Sequence, residues 1–401
     1  MKIRLFFLLL SLLLCQWTIA QQTVSSGKLI EYSRFNSTIV PSRNVFVWLP
    51  TGYSTRERYD VLYMHDGQML FDANTTWNKQ EWGIDEIVGK LLSEKKMEPC
   101  IVVGIASIPE TRYEDYFPQK ALNYLPDEQL PEDISFNADN YLRFLVEEVK
   151  PFIDKEYSTN KSVEHTFVMG SSMGGLISLY ALCEYPEVFG GAACMSTHVP
   201  MILSKELSKE KADQWSRAFR NYLDENLPTA NSRIIYMDRG DATLDAYYPP
   251  YQDELDKLMR KKGWKGPMWV SKVFPGAAHT EVDWNKRLDN PLLFLLGTDR
   301  KDCICDKKNT DMSPDDYLIS KFKDADIVLL AEDHGVKENL DFVKKMIPKL
   351  YANGIYMLGM EFGAYEDQKQ LDSLINAPRY NENLARQLMF NYNTRWAIVE
   401  R

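Results

Sequence analysis

A serine in the segment FVMGSSMGGLISLYALCEYP lies between an apolar run and a helix-like run. Residues 170–174 read GSSMG and fit GxSxG, the pattern in which a tight strand-to-helix turn exposes a nucleophilic hydroxyl. The glycines permit the bend, and the Ser172 hydroxyl would lie at a helix N-terminus, where the Met173 N–H can face an oxyanion. We predict Ser172 as a nucleophile; a glycine-rich packing turn is the structural alternative.

A nucleophilic serine needs a base, and the base needs an acid that orients it, in the chain order Ser, Asp or Glu, His. His279 lies in PGAAHTEVDW, directly after a strand-like run, and is the predicted base. Three carboxylates in IIYMDRGDATLD could be the acid: Asp238, Asp241 and Asp245. Asp238 ends the predicted strand, whereas the other two lie in the loop expected to face His279. We favour Asp245.

Short β-rich runs alternate with helical patterns before residue 298. The predicted strands are residues 44–49, 60–64, 100–105, 165–169, 191–195, 233–237 and 268–274. Apolar residues recur at helical spacing in residues 138–157, 176–183 and 251–261. This alternation predicts an α/β fold, with a mostly parallel central sheet and helices on both faces. Such sheets carry their chemistry at the carboxyl ends of the strands.

Charge and the N-terminal segment restrict the partners and the compartment. The chain has 401 residues, and 47 basic against 57 acidic side chains give a net charge of −10, which argues against a nucleic-acid partner. Residues 1–20 combine a basic start, an apolar core and a small residue before a polar one, as in a secretory signal. A membrane anchor is the alternative, but the apolar core is short for a span. We expect an exported protein, periplasmic or extracellular, with no membrane span after signal removal.

Residues 21–297 resemble the esterase D and enterochelin-esterase-like branch of the α/β hydrolases. Besides GSSMG, the resemblance rests on HDGQMLFD at residues 65–72, VGI at 103–105, RYEDY at 112–116 and PGAAH at 275–279. The resemblance implies the α/β-hydrolase fold. It also implies that the loop at residues 65–68 supplies a second oxyanion-hole amide, here from Gly67 or Gln68.

The resemblance implies a serine ester hydrolase that forms an acyl-enzyme, without a metal or other cofactor, on a small-molecule or oligosaccharide ester. Members cleave acetyl or feruloyl groups from plant polysaccharides, open siderophore lactones, hydrolyse thioesters or transfer acyl groups. For an exported acidic member we favour acylated carbohydrate, with siderophore-ester hydrolysis as the alternative. Trp77, Trp82 and Tyr113 could stack on sugar or phenolic rings or pack in the core. Arg112 and His198 complete the substrate-contact candidates.

The composition changes after residue 297. Residues 298–316 are charged and turn-rich and are predicted as a linker, and residues 317–401 as a small α/β unit, with strands at 326–330 and 355–360. This unit resembles the opening of the erythromycin-esterase and haem-uptake group of domains. Glu332, His334 and Glu361 would then form a second site, and a haem- or ligand-binding protein on an esterase scaffold is a third hypothesis. A structural appendage is the alternative.

Overall fold

The computed structural model describes residues 22–126, 135–202, 209–230, 232–299, 313–322, 337–355, 368–379 and 381–386. The chain divides into two compact units, Met1–Lys307 and Lys308–Arg401, and this boundary lies inside the predicted linker. A helix already begins at Pro314, because the Ser313 side chain accepts a hydrogen bond from the Asp316 N–H and proline suits the first helical position. Residues 314–316, at the end of the predicted linker 298–316, therefore belong to this helix.

The first unit alternates strands and helices. Its strands are β1 (Lys28–Phe35), β2 (Arg43–Leu49), β3 (Asp60–His65), β4 (Cys100–Ile105), β5 (Thr166–Ser171), β6 (Gly191–Met195), β7 (Ile234–Arg239) and β8 (Trp269–Val273). Its helices are α1 (Ile84–Ser93), α2 (Arg112–Tyr116), α3 (Ala138–Arg143, continued by a π-helical turn Phe144–Val149 and by Lys150–Glu156), α4 (Met173–Glu184), α5 (Lys209–Asn226), α6 (Pro249–Lys261), α7 (Glu281–Asn285) and α8 (Asp289–Leu296). Short 3₁₀ turns cover Gly67–Met69, Gln119–Tyr124, Val163–His165 and Thr243–Tyr247.

The eight strands form one sheet in the order β1-β2-β4-β3-β5-β6-β7-β8. β2 runs antiparallel to both β1 and β4, whereas every pair from β4 to β8 is parallel. The carboxyl ends of β3 to β8 therefore meet at one edge of the sheet. This confirms the predicted α/β architecture with a mostly parallel sheet. The sequence analysis missed β1, an edge strand whose side chains are only partly buried.

The sheet is covered on both faces. Successive residues of a strand point to opposite faces, and in β5 Val168 packs in one apolar cluster with Leu176 of α4. Its neighbour Phe167 packs in a second cluster with Val88 of α1 and Leu292 of α8. Burial on both faces explains why the central strands are almost uniformly apolar rather than alternating.

The turn between β5 and α4 brings strand and helix into close contact. A Cβ added to Gly170 would lie 2.7 Å from the carbonyl carbon of Gly174, closer than carbon atoms can approach. Between them, Ser172 has φ 56° and ψ −121°, a conformation that costs a non-glycine residue about 1–3 kcal/mol. The strain is sustained because helix α4 is buried along almost its whole length.

A buried ion pair fixes helix α2, which starts at Arg112. The Arg43 guanidinium donates a hydrogen bond to the Asp115 carboxylate over 3.0 Å, and both side chains are almost fully buried. The Asn137 side chain donates a further bond of 3.0 Å to Asp115. Removing one partner of such a pair strands a buried charge, so α2 is held firmly against β2.

In the second unit the described elements are helices: α9 (Pro314–Lys321), α10 (Lys337–Ala352) and α11 (Gln368–Ile375). The Asp315 carboxylate pairs with Lys345 over 3.0 Å and also with Lys349, which ties α9 to α10. The predicted strand at 326–330 and residues 356–360 of the other lie outside the described residues. In the described ranges, no helix combines the length and apolar character that crossing a bilayer requires.

We predict that Gly170→Ala and Gly174→Ala differ sharply in stability. Alanine at position 170 must push into the Gly174 backbone, and overpacking of this kind costs about 1–3 kcal/mol or more. Alanine at position 174 would meet its nearest atoms at 3.5 Å, an ordinary contact, so the unfolding free energy should change by less than about 1 kcal/mol. Urea unfolding followed by circular dichroism measures both; equal losses would contradict the close approach.

Candidate active site

Ser172 follows β5 at the carboxyl edge of the sheet and is half-buried. Its backbone N–H donates to the Met195 carbonyl over 2.9 Å, which ties the bend to the end of β6. Its own carbonyl accepts from the N–H groups of Gly175 (3.1 Å) and His198 (3.2 Å). Backbone hydrogen bonds therefore hold the bend on both sides, and they fix the position from which the Ser172 side chain projects at this edge of the sheet.

His279 and Asp245 are brought together over the ends of β7 and β8. The His279 Nδ1–H donates to Asp245 Oδ1 over 2.6 Å, which leaves the lone pair of a neutral imidazole on Nε2. Asp245 Oδ2 accepts from the Gly240 N–H (2.6 Å) and from the Ser196 hydroxyl (2.5 Å). Burial on its own raises the pKa of Asp245. His279 and the other two donors outweigh burial, so that pKa lies below its ordinary value and the carboxylate stays charged.

The three candidate acids have different surroundings. Asp238 forms a buried ion pair with Arg287, whose Nη2 and Nε lie 3.2 and 3.3 Å from its two oxygens. Burial raises the pKa of Asp238 even though Arg287 opposes the shift. Asp241 is exposed and accepts a hydrogen bond from the Gly276 N–H over 2.6 Å. Of the three, Asp245 is the one whose side chain contacts His279.

Tyr248 lies next to both the serine and the histidine. Burial raises its pKa well above the ordinary value, as does the charge of Asp245, while a hydrogen bond with the Ser172 side chain acts in the opposite direction. Its ring meets the His279 ring edge-on, with centroids 5.7 Å apart. The Tyr248 N–H donates to the Asp245 carbonyl over 3.0 Å, so a single turn presents both side chains. Sequence reasoning missed Tyr248, although its place three residues after the favoured acid was a usable signal.

The other side of His279 is held by Trp284, whose ring lies edge-on at 5.0 Å. The Trp284 Nε1–H donates to Ser196 Oγ over 3.1 Å. Trp82 packs against Trp284 at 5.6 Å and is only 3% exposed. The prediction that Trp82 contacts substrate is therefore wrong: its side chain lies in the core and supports the histidine indirectly.

His198 is also buried, and both of its ring nitrogens are used within the protein. Nε2 lies 2.9 Å from the Ile202 carbonyl and Nδ1 lies 2.8 Å from the Tyr248 hydroxyl. Burial, the largest effect, lowers the pKa of His198 to about 4, so the ring is neutral near pH 7. His198 thus lies behind Tyr248 rather than lining a substrate pocket, which corrects its predicted role.

The loop after β3 is fixed to the end of β4. Gln68 Oε1 accepts from the Ser107 N–H over 3.0 Å, and Gln68 Nε2 donates to the Ser107 hydroxyl over 2.8 Å. A Cβ on Gly67 would lie 2.5 Å from the Gly104 carbonyl carbon, so the two backbones touch. Gly67 and Met173 each begin a helical turn, and Gln68 follows Gly67; among the described residues, no backbone acceptor outside these turns engages the three amides. These N–H groups are therefore free to bind an oxyanion.

Arg112 and Tyr113 approach the same loop from α2. The Arg112 Nε and Nη2 atoms donate to the two Asp66 oxygens over 2.7 Å each, and about a third of the Arg112 side chain is exposed. Asp66 Oδ2 lies 3.5 Å from where a Cβ on Gly174 would be, so this pair borders the serine turn. The Tyr113 hydroxyl donates to the Met201 carbonyl over 2.7 Å. Arg112 and Tyr113 remain candidates for substrate contact.

The second predicted site, Glu332, His334 and Glu361, lies outside the described residues. Within the ranges that are described, no three His, Cys, Asp or Glu side chains come together as metal ligands. Sequence reasoning also missed Ser196, which follows β6 directly at the catalytic edge, and Arg287, whose Nη2 donates to Ser196 Oγ over 2.8 Å. The position of Ser196 directly after a predicted strand could have marked it as a candidate site residue. Nothing in the local sequence marks Arg287.

The chain resembles several known proteins at low sequence identity. The chain is 27% identical over 174 residues to the Bacillus subtilis protein YjcH, covering 43% of this chain and 63% of YjcH. It is 26% identical to the ferri-bacillibactin esterase BesA of Bacillus subtilis, covering 40% and 57%. It is 25% identical to an endo-1,4-beta-xylanase/feruloyl esterase of Xylanibacter ruminicola, covering 45% and 23%. The chain thus spans less than two thirds of each of these relatives.

Among solved structures, a ferulic acid esterase superposes with a TM-score of 0.49 at 18% identity, covering 67% of this chain and 97% of that one. The sequence model of the protein family described as "Putative esterase" matches residues 37–295. This range contains β2 to β8, the serine turn, and the loops that carry Asp245 and His279. Because the match covers more than half of the 401 residues, the protein belongs to this family of esterases, which are carboxylic ester hydrolases.

Proposed function

We propose that this esterase uses Ser172 as nucleophile, His279 as general base and Asp245 as the acid that orients it. The observation that carries the proposal is the 2.6 Å hydrogen bond from His279 Nδ1 to the buried Asp245 carboxylate. An imidazole held in this way keeps its Nε2 lone pair free to accept a proton from a nucleophile. A carboxylate in this position fixes the tautomer and stabilises the imidazolium cation.

The proposed reaction has two halves. Ser172 Oγ attacks the ester carbonyl carbon while its proton moves to His279 Nε2, and the amide of Met173 together with that of Gly67 or Gln68 stabilises the oxyanion. When the alcohol leaves it takes the proton from His279, and an acyl-enzyme remains. Water then attacks the acyl-enzyme in the same way, and the carboxylic acid is released.

As substrate we propose acylated carbohydrate, carrying acetyl or feruloyl esters. Trp77 is 84% exposed and Tyr247 is 70% exposed, and such rings can stack on sugar or phenolic rings. Both belong to loops beside the site: Tyr247 precedes Tyr248, and Asn78, next to Trp77, donates a 3.0 Å hydrogen bond to Glu281. The feruloyl esterase relative of Xylanibacter ruminicola supports this choice.

A siderophore ester is the second candidate, because the similarity to the ferri-bacillibactin esterase BesA favours it. Charge argues against it. A ferric tricatecholate is an anion, and a protein with a net charge of −10 repels anions. A panel of acetylated and feruloylated oligosaccharides and a catecholate trilactone separates the two proposals: faster turnover of the trilactone would select the siderophore ester.

Ser172→Ala should reduce kcat/KM by at least about 10³-fold on whichever ester of this panel is cleaved, because the nucleophile is lost. The matched control is Ser171→Ala, in the same turn, which should retain most activity. A fluorophosphonate probe should label the wild type and Ser171→Ala and leave Ser172→Ala unlabelled. Equal turnover by both variants would refute the nucleophile assignment.

Asp245→Asn and Asp241→Asn distinguish the acid from its neighbour. An amide at position 245 no longer stabilises the His279 cation and can hold the wrong tautomer, a change that costs about 10⁴ in turnover in serine proteases. Asp241 is exposed, so its amide variant should stay within about twofold of the wild type. Steady-state kinetics near neutral pH measures both. A large loss confined to Asp241→Asn would move the acid to that residue.

We also propose export, with residues 1–20 removed. Expression in a bacterial host with a general secretion pathway should give a periplasmic or secreted protein whose first residue is Gln21. Replacing Lys2 and Arg4 by glutamate should retain the precursor in the cytoplasm. N-terminal sequencing of each cell fraction measures the outcome; an uncleaved protein in the membrane fraction would favour the anchor.

A further inference from the structure

Tyr248 and His198 form a hydrogen-bonded pair next to the proposed triad, and the triad itself does not require it. Tyr248 is 2% exposed, and its hydroxyl lies 2.8 Å from His198 Nδ1. His198 Nε2 in turn lies 2.9 Å from the Ile202 carbonyl. On its other side the Tyr248 hydroxyl meets the side chain of Ser172. These contacts form a chain from the Ile202 carbonyl to the nucleophile.

The direction of the hydrogen bonds along this chain is determined. A carbonyl can only accept, so His198 Nε2 must carry a proton. Because burial keeps the His198 ring neutral near pH 7, its Nδ1 carries a lone pair and accepts. The Tyr248 hydroxyl therefore donates its proton to His198, and it presents only oxygen lone pairs to the active site.

A buried acceptor needs a donor, since leaving one unsatisfied costs free energy. In the free enzyme the Ser172 hydroxyl can supply that donor. Once Ser172 is acylated, its Oγ has no proton to donate. The Tyr248 oxygen then faces the site without a hydrogen-bond donor. With almost no exposed surface, Tyr248 can receive a new donor only from within the active site.

We propose that Tyr248 is a further catalytic residue, which accepts a hydrogen bond from the water that hydrolyses the acyl-enzyme. The proposal rests on the serine mechanism proposed above. The Tyr248 and His279 rings are in edge-on contact, with centroids 5.7 Å apart at an interplanar angle of 86°. A water that gives one O–H to the Tyr248 hydroxyl oxygen and the other to His279 Nε2 directs its oxygen lone pair at the acyl carbon.

The water oxygen bonds to the acyl carbonyl carbon, and one water proton moves to His279 Nε2. The second proton stays on the attacking oxygen, hydrogen-bonded to Tyr248. When the bond from the acyl carbon to Ser172 Oγ breaks, His279 returns its proton to Oγ, and the acid leaves with the second proton on its carboxyl group.

The test uses methanol as a competing acyl acceptor. Methanol has one O–H, which His279 takes, so it gains nothing from Tyr248, whereas water uses both of its O–H groups. In Tyr248→Phe the ratio of methyl ester to free acid, at fixed methanol, should rise about tenfold, the effect of losing one hydrogen bond. Deacylation in water should slow by a similar factor, with acylation changed much less, as measured by burst kinetics with a chromogenic ester.

The matched control is Tyr124→Phe, which removes a tyrosine hydroxyl that donates to Glu225, a residue with no part in the proposed mechanism, and which should leave the product ratio unchanged. A Tyr248 that serves only packing would slow methanolysis and hydrolysis together, so an unchanged ratio in Tyr248→Phe overturns the inference. If the wild type gives neither a burst nor fluorophosphonate labelling, the serine mechanism itself fails, and this inference fails with it. A normal burst with an unchanged ratio removes only the role of Tyr248.

Discussion

The hydrogen bond between His279 and Asp245 depends on how the two loops after β7 and β8 are joined. The parallel register of these strands pairs Arg239 with Val273, so both loops leave the sheet at the same level. The Ala277 carbonyl then accepts backbone N–H groups from the first loop, and the His279 N–H donates to the Thr243 hydroxyl over 2.8 Å. The side-chain bond is thus the last of several that hold one loop against the other. The geometry of the His279–Asp245 pair follows from backbone pairing rather than from flexible side chains.

A buried charge network lies beneath this contact and separates two carboxylates that are close in sequence. Arg287 pairs with Asp238 and also donates to Ser196, whose hydroxyl donates to Asp245. Ser196 therefore connects a structural ion pair to the carboxylate that we propose as the acid of the triad. The pKa of Asp238 is raised and that of Asp245 is lowered, so the two carboxyl groups are suited to different tasks. A network of this kind tolerates little change, because each removed partner leaves a buried polar group unsatisfied.

The strands and the serine turn could be predicted from the sequence because their signals are local. Apolar runs mark strands buried on both faces, and GSSMG marks a bend that excludes a Cβ at position 170. The sequence favoured Asp245 as the acid but could not exclude Asp238, at the end of β7, or Asp241, in the same loop as Asp245; the contact with His279 separates the three. Trp82 was misplaced for a related reason: residue type shows that a ring is large and apolar, but not which side of a loop it faces. The edge strand β1 lacked a strong pattern since it is only partly buried.

Three histidines near the catalytic edge show how surroundings, rather than residue type, decide function. Burial lowers the pKa of His65 to about 3 and that of His198 to about 4, and within the described residues their rings hydrogen-bond to Tyr141, to Tyr248 and to the Ile202 carbonyl. Such rings are poor proton acceptors. His279 has the Asp245 carboxylate on Nδ1 and edge-on contacts with Tyr248 and Trp284, so the imidazolium cation of the proposed mechanism has a partner. The burial that makes His198 unsuitable as a base also fixes its tautomer, and that fixed tautomer determines the direction in which the Tyr248 proton points.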